Sequence, residues 1–152
     1  MSNVSERLNE LNIHLPEPPI AAGSYLPVVR SGQLLFISGN LPIQDGKLFS
    51  PGVVGDSVDI EFARKAARIS AINILANTAA YLGSIDEIKQ IVKVTGFVAS
   101  AFGFTDQPKV INGASDLFVE IFGEAGRHAR SAIGVSALPL GSCVEVEAII
   151  EI

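Results

Sequence analysis

One arginine and one glutamate in the last quarter of the chain are the residues best placed to do chemistry. Gly126-Arg127-His128-Ala129-Arg130-Ser131 leads into Ala132-Ile133-Gly134-Val135, then Leu138-Pro139, then Val144-Glu145-Val146-Glu147-Ala148. The stretch reads as an arginine at the mouth of a β-strand, a Pro/Gly turn, and a second strand alternating valine with glutamate. That spacing predicts a hairpin bringing one guanidinium, Arg130, near one carboxylate, Glu145. A guanidinium fork suits a planar carboxylate ligand, and a nearby glutamate can hold a water or move a proton. The plainer alternative is an Arg–Glu pair that only ties two strands together.

Other chemistries find little support. Two distant histidines, His14 and His128, and a single cysteine, Cys143, give no metal-ligand spacing. Neither standard glycine-rich phosphate loop is present, and no Gly-x-Ser-x-Gly elbow supports a serine triad. His128 titrates in a useful range, but a lone histidine in a loop rich in glycine and arginine is expected to be solvated. His14 lies in an N-terminal connector with no partner in motif distance. Gly134 reads as a close-approach position on a strand.

Composition narrows the setting. At 152 residues the chain is long enough for one domain with a substantial core. Charged residues make up 18% against about 25% in a typical soluble domain. The deficit leaves apolar surface that a small monomer hides poorly, so burial against further copies of the chain is expected. A membrane span is not: the longest charge-free run, Ile69 to Ile85, contains Asn73, Asn77, Thr78 and Gly83. Met1 to Asn12 lacks the basic start and apolar centre of a secretory signal. With no disulfide possible inside one chain, a reducing, cytoplasmic compartment is expected, and Cys143 reads as an ordinary, partly buried thiol. The net charge of −5, from 11 basic and 16 acidic residues, disfavours nucleic acid as a partner.

The elements that must position the arginine and glutamate follow from periodicity. Ser5 to Leu11 suits a short helix, followed by the connector Pro16-Glu17-Pro18-Pro19. Leu26 to Arg30 and Gln33 to Ser38, split by Ser31-Gly32, signal a hairpin. Gln44-Asp45-Gly46-Lys47 is a further turn. Asp59 to Leu82 is the long helix, stopped at Gly83, with its second half expected to be covered on nearly all sides. Ile88 to Ala101 alternates, with Val92, Val94, Gly96 and Val98 on one face and Lys93, Thr95 and Phe97 on the other. Thr105-Asp106-Gln107-Pro108 predicts a side-chain-capped helix start, with the helix ending at Gly123. A final hairpin near Ser131 to Leu138 and Val144 to Ile152 completes a β-β-α-β-α-β-β order. In its last strand Val144, Val146, Ala148, Ile150 and Ile152 should face the helices, and Glu145, Glu147, Ile149 and Glu151 the opposite side. That opposite face is too apolar for open water and is expected to pack on other subunits.

From Gly23 to Glu151 the chain resembles the Rid family, the reactive intermediate deaminases also described as YjgF-like or L-PSP endoribonuclease-like. The resemblance is carried by Gly23-Ser24-Tyr25, Phe36-Ile37-Ser38-Gly39 with Pro42, and a helix ending Tyr81-Leu82-Gly83. Further carriers are Ile91-Val92-Lys93-Val94 with Phe97-Val98, Phe118 with Phe122, Ala129-Arg130-Ser131, Leu138-Pro139 and Val144-Glu145-Val146-Glu147-Ala148. The resemblance implies a chorismate-mutase-like α+β domain over residues 23–152, preceded by an extension over 1–22. It also implies a homotrimer with clefts between subunits, and hydrolysis of enamines and imines such as 2-aminoacrylate to keto acid and ammonia. No metal or organic cofactor is implied, and the partner is a small carboxylate-bearing metabolite.

By the same resemblance Arg130 corresponds to the arginine that grips the substrate carboxylate, and Glu145 to the glutamate that positions water. Tyr25, Ser38, Gly39, Asn112 and Ala132 correspond to residues lining the cleft. Ala132 stands where the best-characterised deaminases have cysteine, and His128 precedes Ala129 ahead of the arginine, where proline is usual. Tyr25 follows Ser24 where proline is common. These departures point to an outlying subgroup. Two other functions stay open at this stage: a non-catalytic module that binds or senses a small carboxylate, and a ribonuclease or translation inhibitor.

Overall fold

The computed structural model of the chain describes residues 3–21 and 23–152. Helix α1 (Val4–Glu10) starts in a capping box: Asn3 Oδ1 accepts from the Glu6 amide at 2.8 Å, and Glu6 Oε2 accepts from the Asn3 amide at 3.1 Å. The helix docks onto the rest of the chain through buried Leu8, through Ser5 hydrogen-bonded to Asp86, and through Arg7 Nε donating to the Glu120 carbonyl.

Strands β1 (Val28–Ser31) and β2 (Leu34–Asn40) form the expected hairpin. A small ribbon, β3 (Ile43–Gln44) with β4 (Lys47–Leu48), turns through Asp45 and Gly46. Both turn residues have positive φ, 53° and 75°, the requirement of a type I′ turn. Helix α2 (Ile60–Leu82) begins where Asp59 caps the Phe62 amide and ends at a left-handed Gly83. Its second half is buried from Asn73 through Thr78, as expected. Strand β5 (Gln90–Ala99), helix α3 (Gln107–Phe122), strand β6 (Ala129–Val135) and strand β7 (Val144–Glu151) follow.

The five long strands form one mixed sheet in the order β1-β2-β7-β5-β6, with only β5 and β6 parallel. Helices α2 and α3 pack together on one face, against β7 and β5. Val144, Val146, Ala148, Ile150 and Ile152 all point into that core, as their alternation predicts. On the other face Val29, Phe36 and Ile133 are exposed, with Phe97 and Ile149 half-buried beside them. The apolar open face is therefore real.

Three expectations need correction. The final hairpin does not form: β5 lies between β6 and β7, and β6 joins β5 through the α3 crossover, as parallel strands require. Val92 does not share a face with Val94 in an unbroken alternation. The β5–β7 register slips between Ile91 and Lys93, so Ile91 and Val94 are the fully buried residues there. Asp106 precedes α3 without a side-chain cap bond; its backbone is not extended, and its carboxylate reaches Lys109 Nζ at 3.4 Å instead.

The α2–α3 crossing is close because of Gly113. A Cβ there would fall on the Arg64 carbonyl oxygen, with the Arg64 carbonyl carbon at 2.9 Å. Helical backbone cannot swing aside, so Gly113→Ala must push the helices apart. An overpacking cost of about 3 kcal/mol exceeds the roughly 1 kcal/mol that alanine gains in helix propensity. A net loss of about 2 kcal/mol is expected in denaturant unfolding; an unchanged midpoint would show that the helices slide freely.

Candidate active site

The residues expected to form one site lie in two groups. In the sheet, Arg130 stands level with Val94, and Val94 with Ala148, a row facing the helices. Glu145 stands level with Phe97, and Phe97 with Ile133, a row on the open face. Side chains in adjacent rows of odd and even position point to opposite faces. Within one chain Arg130 and Glu145 are consequently kept apart by the sheet itself, and the expected intrachain pairing of guanidinium and carboxylate is absent.

The first group surrounds Arg130. Its Nη1 donates to Asn112 Oδ1 at 2.8 Å and to Ser115 Oγ at 3.2 Å. Asn112 and Ser115 are three residues apart on α3 and so share one helix flank, which faces the sheet edge where β6 lies. These bonds hold one corner of the guanidinium and leave its other N–H groups for a ligand. The hollow in front of it has a volume of about 280 Å³ and is lined by Asn112, Ser115, Val119, Arg127, His128 and Arg130.

His128 is not the solvated loop residue the sequence suggests. It is half-buried, with its ring edge-on to Phe118 at a centroid distance of 5.9 Å. Its Nδ1 lies 2.6 Å from the Gly126 carbonyl, which can only accept, so Nδ1 carries the proton. Nε2 therefore offers a lone pair, and the Ser115 hydroxyl 2.9 Å away donates to it. Burial pushes the His128 pKa down, the Gly126 hydrogen bond opposes this, and the Arg130 charge lowers it further. Burial and the Arg130 charge together favour the neutral ring. Sequence reasoning missed Ser115 altogether; the spacing of Asn112 and Ser115 on one helix flank was the available signal.

The second group lies around Gly39, which adjoins Glu145. Tyr25, Ser38 and Gly39 border a cleft of about 480 Å³ that Asn73, Asn77 and Leu140 also line and that Glu145 reaches only through Gly39. Tyr25 is 54% exposed, and its loop is tied down where Ser38 Oγ donates to the Leu26 carbonyl at 2.7 Å. Gly39 leaves room for the glutamate: a Cβ there would collide with Glu145 Oε1. Glu145 is half-buried, and burial first, then the Glu147 charge, push its pKa up. A carboxylate so placed takes a proton from water more readily than an ordinary surface glutamate.

Ala132 is half-buried and packs against the core two positions beyond Arg130. Cys143 is fully buried, with burial pushing its thiol pKa up to about 11, as an unreactive thiol requires. Among the described residues no group of three His, Cys, Asp or Glu is placed to hold a metal ion. No helix among them is long and apolar enough to cross a membrane.

An α+β chain with a β-α-β crossover at one sheet edge, both main helices on one face and an arginine at the mouth of the edge strand has the chorismate-mutase-like fold. The chain belongs to the YjgF family: the family model described as "YjgF/chorismate_mutase-like, putative endoribonuclease" matches residues 5–152. Protein TCP17 of Trypanosoma cruzi is 42% identical over 150 residues, covering 98% of this chain and 94% of that protein. The crystal structure of the Agrobacterium tumefaciens protein Atu1372, of unknown function, superposes with a TM-score of 0.91 at 45% identity, covering 98% and 92% of the two chains. Escherichia coli TdcF with bound serine superposes less closely, with a TM-score of 0.66 at 26% identity, covering 90% and 94%. The chain thus stands with TCP17 and Atu1372 in an outlying branch of the family.

Proposed function

We propose that this protein is a hydrolytic deaminase of small 2-imino and enamine acids, working at clefts between subunits of a homotrimer. The observation that carries the reading is the division of the site. Arg130 is held by Asn112 and Ser115 with a free edge towards solvent, while Glu145 lies beside Gly39 on the other face of the sheet. On this reading the apolar open face packs on a second copy whose β6 edge carries its Arg130 to the Glu145 of the first. The shortage of charge and the exposed Val29, Phe36 and Ile133 favour such packing.

The chemistry asked of the cleft is modest. Arg130 binds the substrate carboxylate as a planar, two-pronged donor, and this orients C2. A protonated imine is already electrophilic, so a held water suffices as nucleophile. Glu145 holds that water and takes its proton as oxygen bonds to C2. Tyr25, Ser38 and Gly39 complete the wall. The bound serine in TdcF, a relative, is a ligand of the same size with a carboxylate and a nitrogen on the same carbon.

The test is release of keto acid and ammonia from freshly generated 2-aminoacrylate, with the assembly state measured in parallel by light scattering. Release well above the buffer rate by a trimer is expected. Saturable binding of 2-keto acids with no acceleration would instead favour a carboxylate-binding module.

A further inference from the structure

We propose that Ser115 and His128 form a proton-accepting pair acting on the ligand held by Arg130, with Ser115 in contact with that ligand and His128 acting through it. The inference rests on the deaminase reading above and adds the group that completes the reaction. Three bonds define the pair: Gly126 carbonyl to His128 Nδ1 at 2.6 Å, His128 Nε2 to Ser115 Oγ at 2.9 Å, and Ser115 Oγ to Arg130 Nη1 at 3.2 Å. The carbonyl fixes the tautomer, the tautomer fixes Nε2 as acceptor, and the serine proton is thereby committed to the histidine. Of the two lone pairs on Ser115 Oγ, one accepts from Arg130 Nη1 and the other is left for a ligand in the hollow that Ser115 helps to line. A base held by a third group and reached through a hydroxyl is the arrangement by which side chains remove protons near neutral pH.

The deaminase sequence has a step that needs such a base. Water adds to C2 of the iminium, the C=N electron pair moves to nitrogen, and the water proton goes to Glu145. Glu145 then returns that proton to nitrogen, giving an ammonium leaving group on a tetrahedral carbinolamine. The C2–N bond breaks and ammonia departs with its electron pair as the remaining hydroxyl becomes a carbonyl. The proton of that hydroxyl must leave at the same moment. It passes to Ser115 Oγ while the serine proton passes to His128 Nε2. The histidine releases it to water, so iminium acid plus water gives keto acid, ammonia and one proton. Glu145 and the Ser115–His128 pair thus handle protons from the two sides of the cleft, each contributed by a different copy.

The surroundings suit an acceptor. From β6, Arg130 faces His128; from the turn before it, Arg127 lies close but is paired with Glu124 at 3.2 Å. From α3 come Ser115 and the edge of Phe118, while Asp116 and Glu120 pair with Arg64 and Arg68 of α2. Among the described residues no carboxylate pairs with the ring, and only the Gly126 carbonyl favours its protonated form, against burial and the Arg130 charge.

The experiment compares wild type, Ser115→Ala, His128→Gln and His128→Ala on 2-imino acids across pH 5 to 9, the last variant with and without added imidazole. Loss of about 100-fold in kcat with little change in KM is expected for His128→Gln and Ser115→Ala. Imidazole should restore part of the rate of His128→Ala. The contribution of His128 to the acid limb, below the ordinary histidine range, should disappear from the His128→Gln profile and leave only the limb set by Glu145. Unchanged kcat and pH profile in an active protein would overturn the pair while leaving the deaminase reading intact. A loss seen mainly in KM, without imidazole rescue, would also overturn it and leave the pair as a support for Arg130. No turnover by wild type would overturn the deaminase reading, and the pair's role with it.

Discussion

Arg130→Ala is expected to lower kcat/KM for carboxylate-bearing imino acids by about 100- to 1,000-fold, with the fold and the assembly state unchanged. The size follows from what is lost. A guanidinium already steadied by Asn112 and Ser115 gives up little freedom when it binds, so most of its two-pronged attraction appears as useful orientation. Truncation leaves Asn112 Oδ1 and Ser115 Oγ without this donor, but they border an open hollow where water replaces it, so stability should move by less than about 1 kcal/mol. Arg130→Lys keeps the charge and loses the fork, and should fall between the two. The control is a substrate whose carboxylate is esterified: wild type should then lose its advantage over the variant. Equal losses on both substrates, or a thermal midpoint that falls with the activity, would assign Arg130 to structure.

Much of the fold was readable because it is local. Asp59 and Gly83 bound α2 through a cap and a left-handed residue, and the alternation of β7 reports which of its faces is buried. The pairing of strands was not readable in the same way. Nothing within residues 129–151 records that β5 occupies the place between β6 and β7. Arg130 and Glu145 look like hairpin neighbours because a Pro/Gly turn separates their strands. Yet Pro139 and Gly141 bound a short 3-10 turn, with Leu140 between them at φ 59°, and the chain leaves it for a different sheet position. The bulge at Val92 is equally silent, since a one-residue slip leaves no mark in composition. Residue types and spacing singled out Arg130 and Glu145, and the family resemblance added Asn112, whereas Ser115 and the buried setting of His128 come from α3 packing across β6.

Under the proposed mechanism, Glu145 sets activity against stability. Its pKa is raised in the folded chain, so at neutral pH the folded state bears a cost for the ionised carboxylate that the unfolded state does not. That cost is present above the raised folded pKa and vanishes below the ordinary glutamate value of about 4.3, where both states are protonated. Glu145→Gln should therefore melt higher than wild type at pH 7 and no higher in acid, while losing about 100-fold in turnover. Wild-type turnover should fall as pH drops through the raised pKa, because only the carboxylate can take the water proton. Gly39 belongs to the same device, since any Cβ there meets Glu145 Oε1. The obstacle is the far end of a flexible side chain, so Gly39→Ala should fold normally yet lose up to about 100-fold in rate by displacing the carboxylate. A double-mutant cycle decides whether the two losses share one cause. In a Glu145→Ala background the space is empty, and Gly39→Ala should then cost almost nothing more. Additive losses would mean that Gly39 contacts the ligand itself, and that the glutamate's position owes nothing to the missing Cβ.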